Sequence, residues 1–180
     1  GFDFLGHTVR KFKSKLIIKP SKKSTNTLMK GIREVINKNK TVKTENLIRL
    51  LNPKLRGWGN YFRHVCSKKT FSKIDNLAYT ALWQWAKRRH PSKGQRWIYK
   101  KYFVDPETNR GRLSTRVGEY RALVEILTLS KIPITRHVKI RGEANPYLPE
   151  YREYFERRAC RKWPLSSTTP QIFFGRTGRA

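Results

Sequence analysis

Leu47, Leu51, Leu55, Trp58, Phe62 and Val65 recur at spacings of 4, 4, 3, 4 and 3 residues, and this rhythm constrains the fold more than any other feature of the chain. Such spacing places all six on one face of an α-helix, and an apolar stripe of that kind needs a partner surface to bury it. Thr44 is the expected N-cap. Pro53 falls inside the run; it has no N–H and its ring crowds the preceding turn. A kink or short break is predicted there, with Pro53 in the first turn of the second half.

The flanking segments supply partners of the same kind. Leu28, Ile32, Val35 and Ile36 share a helical face, which predicts a helix from Ser24 to Asn37. Phe71, Ile74, Ala78, Ala81 and Trp85 predict the inner face of another helix, from about Phe71 to Arg89, with Thr70 as cap. Arg88-Arg89-His90-Pro91 ends it, cations suiting a helix C-terminus and proline stopping it. Ser92 to Gln95 has the form of a capping box and predicts a fourth helix through Trp97 to Phe103. Before these helices, residues 2–9 (FDFLGHTV) and 16–19 are short aromatic and β-branched runs. With the basic stretch Arg10 to Lys15 between them, they predict a β-hairpin closed off by Pro20. After Asp105 the signals weaken: a loop over 105–109, an apolar run of ambiguous type over 117–129 and an extended stretch over 132–140. A short helix is expected from Pro149 to Arg161, where Glu150, Glu153 and Glu156 precede Arg157, Arg158 and Arg161, and a loose tail over 164–180. The expected fold class is mainly α: a helical bundle preceded by an N-terminal β-hairpin and followed by a mixed, less regular C-terminal segment.

What such a bundle would bind is set by charge. The 180 residues carry 41 Lys and Arg against 12 Asp and Glu, a formal net charge of +29. Residues 1–100 hold 25 of the cations and 4 of the acids (+21), and residues 101–180 hold 16 and 8 (+8). A surface this positive repels itself unless a polyanion or counterions neutralise it. Aromatic residues interleaved with Arg and Lys over a folded region point to nucleic acid rather than to a membrane face. A hydrophobic content of 37% is enough for a core, so a disordered basic tail is excluded. No apolar run approaches the ~20 residues needed to cross a bilayer, so no membrane partner is expected. Cys66 and Cys160 stand far apart without CxxC partners, and His7, His64, His90 and His137 lack metal-ligand spacing. Asp3, Glu34, Glu45 and Asp75 are the acids of the first 100 residues and include no close carboxylate pair to hold two metal ions. No catalytic residue and no cofactor is expected in this chain.

The densest motif is Lys54-Leu55-Arg56-Gly57-Trp58-Gly59-Asn60-Tyr61-Phe62-Arg63-His64. Arg56, Asn60 and Arg63 fall at i, i+4 and i+7 on a face turned away from Leu55, Trp58 and Phe62. Each helical glycine costs about 1 kcal/mol relative to Ala, which signals close approach by another backbone: RNA, or a neighbouring helix. Arg pairs bidentately with phosphate, and Asn and Arg reach base edges and 2′-hydroxyls; the same face also reads as a solvated basic surface. Trp58, Trp85 and Trp97 lie in apolar stripes and are assigned to the core, whereas Trp83 and Tyr61 are off-stripe and open to base stacking.

These residues resemble a known family. GFDFLGH (1–7) resembles the last block of the palm of group II intron reverse transcriptases. LNPKLRGWGNYFRH (51–64), with the helix through Trp83, Trp85 and RRHP (88–91), is similar to their maturase-specific region, domain X, which forms the thumb. RWIYKKYF (96–103) and KIRGEANPYLPEYREYFERR (139–158) resemble the downstream segment of bacterial members. The resemblance implies four parts: 1–20 as a hairpin from the end of a palm, 21–103 as a helical thumb, 104–160 as a basic mixed segment contacting DNA, and 161–180 as a loose tail. It implies binding to intron RNA in support of splicing and, in the parent protein, of reverse transcription. Lys54, Arg56, Asn60, Arg63, His64, Arg88, Arg89, His90 and Lys93 are then the candidate RNA contacts. Target DNA is the second expected partner, the upstream palm and finger domains of the parent a third, and the bacterial cytoplasm the expected location. The YxDD-type aspartates of the palm do not occur in this sequence, so RNA-directed DNA polymerase activity and its Mg would belong to the parent. The stretch after Arg158 has neither paired CxxC motifs nor a His-Asn-His pattern, so target cleavage is not expected. One alternative is an inert, truncated remnant of a mobile-element reverse transcriptase; another is a full enzyme seen as a fragment.

Overall fold

The computed structural model describes residues 1–13, 15–104, 111–136 and 140–162, the side chains of 159–162 excepted. The expected loop over 105–109, the centre of the extended stretch 132–140 and the tail 164–180 lie outside the described residues. The chain forms two compact units, Gly1–His137 and Val138–Ala180.

In the first unit, β1 (Phe2–Phe4), β2 (His7–Phe12) and β3 (Lys15–Pro20) make an antiparallel sheet in that order, with Phe2 opposite Val9 and Val9 opposite Ile18. The expected hairpin is the β2–β3 pair. A third strand is added because FDFLGHTV turns back on itself at Leu5 (φ 44°) and Gly6 (φ 76°). A two-residue hairpin turn needs positive φ at both central positions, which glycine adopts without strain and leucine does not. The sheet is tied to the helices by Ser21 N–H donating to Gly6 O at 2.8 Å and Cys66 N–H to Ile18 O at 2.9 Å.

Helix α1 (Lys22–Lys38) starts at Ser21, whose hydroxyl accepts from Ser24 N at 3.1 Å. Helix α2 (Thr44–Phe62) runs through Pro53 as one element, so no break occurs there. Thr44 is already helical, and Lys43 holds the cap position without a side-chain bond. Burial of Leu47 and Ile48 at 0% exposure holds this end in place of a cap. Helix α3 (Lys68–Arg89) begins a few residues before the expected cap; Ser67, fully buried, stands at its start, and Thr70 lies within the first turn. Helix α4 (Gln95–Tyr102) has Gly94 at its cap, so Ser92 does not form the expected capping box.

The core is where the three apolar faces meet. Met29, Ile32 and Ile36 of α1, Leu47, Leu51, Leu55 and Phe62 of α2, and Phe71, Ile74, Leu82 and Trp85 of α3 are buried together with Ile98, Tyr102 and Phe103 of α4. Trp85 takes the central place, and its indole N–H donates to Asn39 O at 3.0 Å, which removes the cost of burying a donor. Leu82, rather than Ala81, completes the inner face of α3.

A second layer covers the other side of α2. Strands β4 (Ser114–Val117) and β5 (Ala122–Glu125) form a hairpin, followed by a 3-10 turn at Leu129–Lys131. The ambiguous run 117–129 is thus the return strand of a hairpin. Three polar side chains hold it to the bundle. Asn52 donates to Glu125 O at 3.0 Å and accepts from Leu127 N at 2.8 Å. Asp75 accepts from Leu129 N and Ser130 N, both at 2.8 Å. Lys68 donates to Ser130 O at 2.7 Å and Ile132 O at 2.9 Å. Leu129, fully buried, and Ile132 then press on α2 at Gly59, where an added Cβ would lie 2.8 Å from Leu129 Cδ2 and 2.4 Å from Ile132 Cδ1.

The second unit has a 3-10 turn at Pro149–Tyr151 leading into α5 (Arg152–Lys162). Its exposed face is laced by Arg152–Glu156 at 3.1 Å and by Arg157 with Glu153, both at i, i+4 spacing. Arg141 N donates to the Tyr154 hydroxyl at 3.1 Å, and this bond, more than the nearby Arg158 and Arg141 charges, holds the phenol below its ordinary pKa.

Two stability outcomes follow. Asp75→Ala strands two part-buried backbone donors at about 1–3 kcal/mol each, so urea unfolding should show a loss of at least ~2 kcal/mol. Gly59→Ala overpacks a closed contact and should lose about 1–3 kcal/mol in the same assay despite alanine's higher helix propensity; unchanged stability in either variant would contradict the packing described.

Candidate nucleic-acid interface

The motif 54–64 occupies the second half of α2, and the fold splits it into three environments. Lys54, Gly57 and Tyr61 are exposed with half-buried Trp58 on one flank. Lys54, Trp58 and Tyr61 line an open groove of about 1030 Å³ between α1, α2 and the β1–β2 turn, with Lys23 and Lys30 on its α1 side. Trp58 Nε1 donates to Ser24 Oγ at 3.1 Å and the Tyr61 hydroxyl to Leu5 O at 2.9 Å, so the aromatic floor is fixed in place. Tyr61 is 52% exposed, with its ring beside His7 at 5.2 Å.

On the other flank Arg56 and Asn60 are exposed. Arg56 borders a smaller cleft of about 390 Å³ with Asn52, Arg112 and Lys131. Lys54 and Arg56 therefore look into different grooves. Arg63 and His64 are half-buried and face inward to the segment after the 3-10 turn. Arg63 Nη2 donates to Thr135 Oγ1 at 3.0 Å, and His64 Nδ1 lies 2.7 Å from Thr135 O. Arg63 Nε is buried with no hydrogen-bond partner among the described residues. Of the three residues placed on one face by their spacing, two reach solvent and the third anchors the chain.

The second cluster lies where α3 meets α4. Arg88 and Lys93 are exposed, and Arg89 and His90 are half-buried. Arg89 donates to Val42 O and stacks over Trp85 at 4.7 Å, tying the α1–α2 loop to α3. His90 Nε2 lies 2.8 Å from the Tyr102 hydroxyl. Desolvation, then the positive charges of Lys101, Arg89 and Lys93, hold its pKa below the ordinary 6.5, so the ring is neutral near pH 7. Residues 76–104 contain seven Lys and Arg and no acid. Among the described residues, none of Lys54, Arg56, Arg88 and Lys93 is ion-paired.

Two features of this surface escaped the spacing argument. Trp97, assigned to the core by its stripe, is 39% exposed, because the i, i+4 pair Ile98 and Tyr102 forms the inward face of α4 instead. Gly57 and Gly59 also differ in kind. Gly59 is filled by Leu129 and Ile132, the neighbour within the protein that a costly helical glycine calls for, whereas at Gly57 nothing among the described residues lies within 4 Å of an added Cβ. Trp83, left open by the pattern, is half-buried against Phe103 at 5.5 Å.

No curated protein matches the chain. Residues 25–103, from the first turn of α1 to the end of α4, match the family described as Group II intron, maturase-specific domain. The three-helix core, both cationic clusters and the Gly57–Gly59 pair all fall inside that span, so the match to a group II intron maturase-specific domain covers the residues that build the candidate interface.

Proposed function

We propose that this chain binds group II intron RNA and so supports splicing, as a maturase, and that the parent protein applies the same surface during reverse transcription. Its role is noncatalytic: the described side chains hold and orient RNA. Target DNA and the parent's palm and finger domains are proposed as further partners of the regions outside the matched span, and the bacterial cytoplasm as the place of action.

The observation that carries this reading is the disposition of charge around α2. Its apolar stripe is consumed by the core, and the residues left outside are Lys54, Arg56 and Asn60 around Gly57, whose missing side chain leaves room for a phosphodiester backbone. A helical glycine with no neighbour in the protein costs about 1 kcal/mol that packing does not return. Lys54, Lys23 and Lys30 on the walls of a groove floored by Trp58 and Tyr61 offer cations to phosphates and ring faces to bases.

Filter binding of the chain to structured intron RNA tests this. Affinity should fall with salt at a log–log slope of about 0.7–0.9 per neutralised phosphate. Lys54→Ala with Arg56→Ala should lower affinity and reduce that slope by about 2, leaving the fold intact. Equal affinity of the variant and the parent, or binding indifferent to salt, would overturn the proposal. Gly57→Ala should gain up to about 1 kcal/mol in unfolding stability while weakening RNA binding. A gain in both would show that the open face has no partner.

His90 gives a second readout. In the free protein its folded pKa lies below its unfolded value, so the unfolded state binds the proton better and His90 favours unfolding as pH falls below about 6.5. A phosphate beside Lys93 and Lys101 cancels the charges that depress it. NMR titration should therefore show the His90 pKa rising when RNA binds; no movement would place the RNA elsewhere.

A further inference from the structure

Trp97 is an unusual residue to find on this surface. It is 39% exposed, as is Tyr99, on a helix whose inward side chains, Ile98 and Tyr102, are at 1% and 5%. An indole left partly in water forgoes burial at roughly 25 cal/mol per Å². Its ring is held at the edge by His90, T-shaped at 4.9 Å, and that imidazole is in turn fixed on Tyr102. Lys101 Nζ lies over the ring at 4.6 Å and Lys93 Nζ at 5.8 Å from the centroid. The result is an oriented aromatic plane with two ammonium groups within reach, in a stretch that holds seven cations and no acid between residues 76 and 104.

We infer that Trp97 is a stacking platform for a single unpaired base of the bound RNA, with Lys93 and Lys101 taking the phosphates on either side of that nucleotide. The inference rests on the RNA-binding reading above and assigns this surface a ligand of its own: an unpaired nucleotide rather than duplex backbone. The physics favours exchange. A lysine over an indole at the surface gains about 0.5–1 kcal/mol, less than a base stacked on an aromatic side chain, about 1–3 kcal/mol. A base therefore displaces the ammonium, which moves a short way to the adjoining phosphate. The same plane cannot take an internal paired base, since both faces of that base are already stacked within the duplex.

The test uses the whole chain with two probes of equal length, a single-stranded oligouridine and a fully paired RNA duplex. Trp97→Leu keeps an apolar side chain at the site and removes the ring face. It should weaken oligouridine binding about 5- to 100-fold, leave duplex affinity within about twofold, and leave thermal unfolding unchanged. Trp97→Phe should recover part of the loss. A 5-bromouridine oligonucleotide irradiated on the unsubstituted chain should crosslink at Trp97, a readout that needs no variant. If the chain binds duplex but Trp97→Leu binds both probes as the parent does, or the crosslink maps away from Trp97, the platform is wrong while RNA binding stands. If neither RNA binds, both fail. Equal loss on both probes with unchanged unfolding would make Trp97 a support for the lysines, contradicting the platform.

Discussion

Everything in the first unit depends on the burial of one face of α2. Leu47, Ile48, Leu51, Leu55 and Phe62 are each at 1% exposure or less, packed between α1 and α3 on one side and overlaid by the β4–β5 hairpin and the turn after it on the other. Burying five such side chains is worth on the order of 10 kcal/mol of transfer free energy before entropy is set against it. That term lets the helix run through Pro53 and begin without a side-chain cap. It also decides what is left outside: once these positions are inside, Lys54, Arg56 and Asn60 are turned outward.

The polar residues divide between holding the fold and meeting a partner, and residue type does not say which. Asp75 has its two oxygens on Leu129 N and Ser130 N, so a carboxylate in a basic chain serves as a backbone clamp. Lys68 does the same with carbonyls. Arg63, His64, Arg89 and His90 all have specific partners within the protein. Gly57 and Gly59, two residues apart, make the division plainest: Gly59 accommodates Leu129 and Ile132, and Gly57 nothing among the described residues.

The helices were legible in the sequence because their apolar spacing is long and regular, and burial reproduced it for Leu47, Leu51, Leu55 and Phe62. Caps were not: at Thr44 and Thr70 the burial of Leu47, Ile48 and Ser67 outweighs a single cap bond, and at Ser92 the position passes to exposed Gly94. The β4–β5 hairpin was hidden because its anchors, Asn52 and Asp75, lie 73 to 75 and 54 to 55 residues away from the groups they bind, beyond the reach of any local pattern. Trp97 was misassigned because the inward face of this two-turn helix is set by the i, i+4 pair Ile98 and Tyr102, while Trp97 shares its side with Lys101, one position and 100° away. Composition placed most of the net charge in the first 100 residues but could not separate a cation that braces α3, such as Arg89, from one that faces solvent, such as Arg88.

The most direct test of the central claim, that burial of the α2 stripe turns a defined set of cations toward RNA, is lysine acylation read by mass spectrometry with and without structured intron RNA. The expected result is that Lys30, Lys54, Lys93 and Lys101 lose reactivity in the complex while Lys68, already bound to two carbonyls, is unchanged. Uniform protection of every lysine, or none at those four, would contradict it.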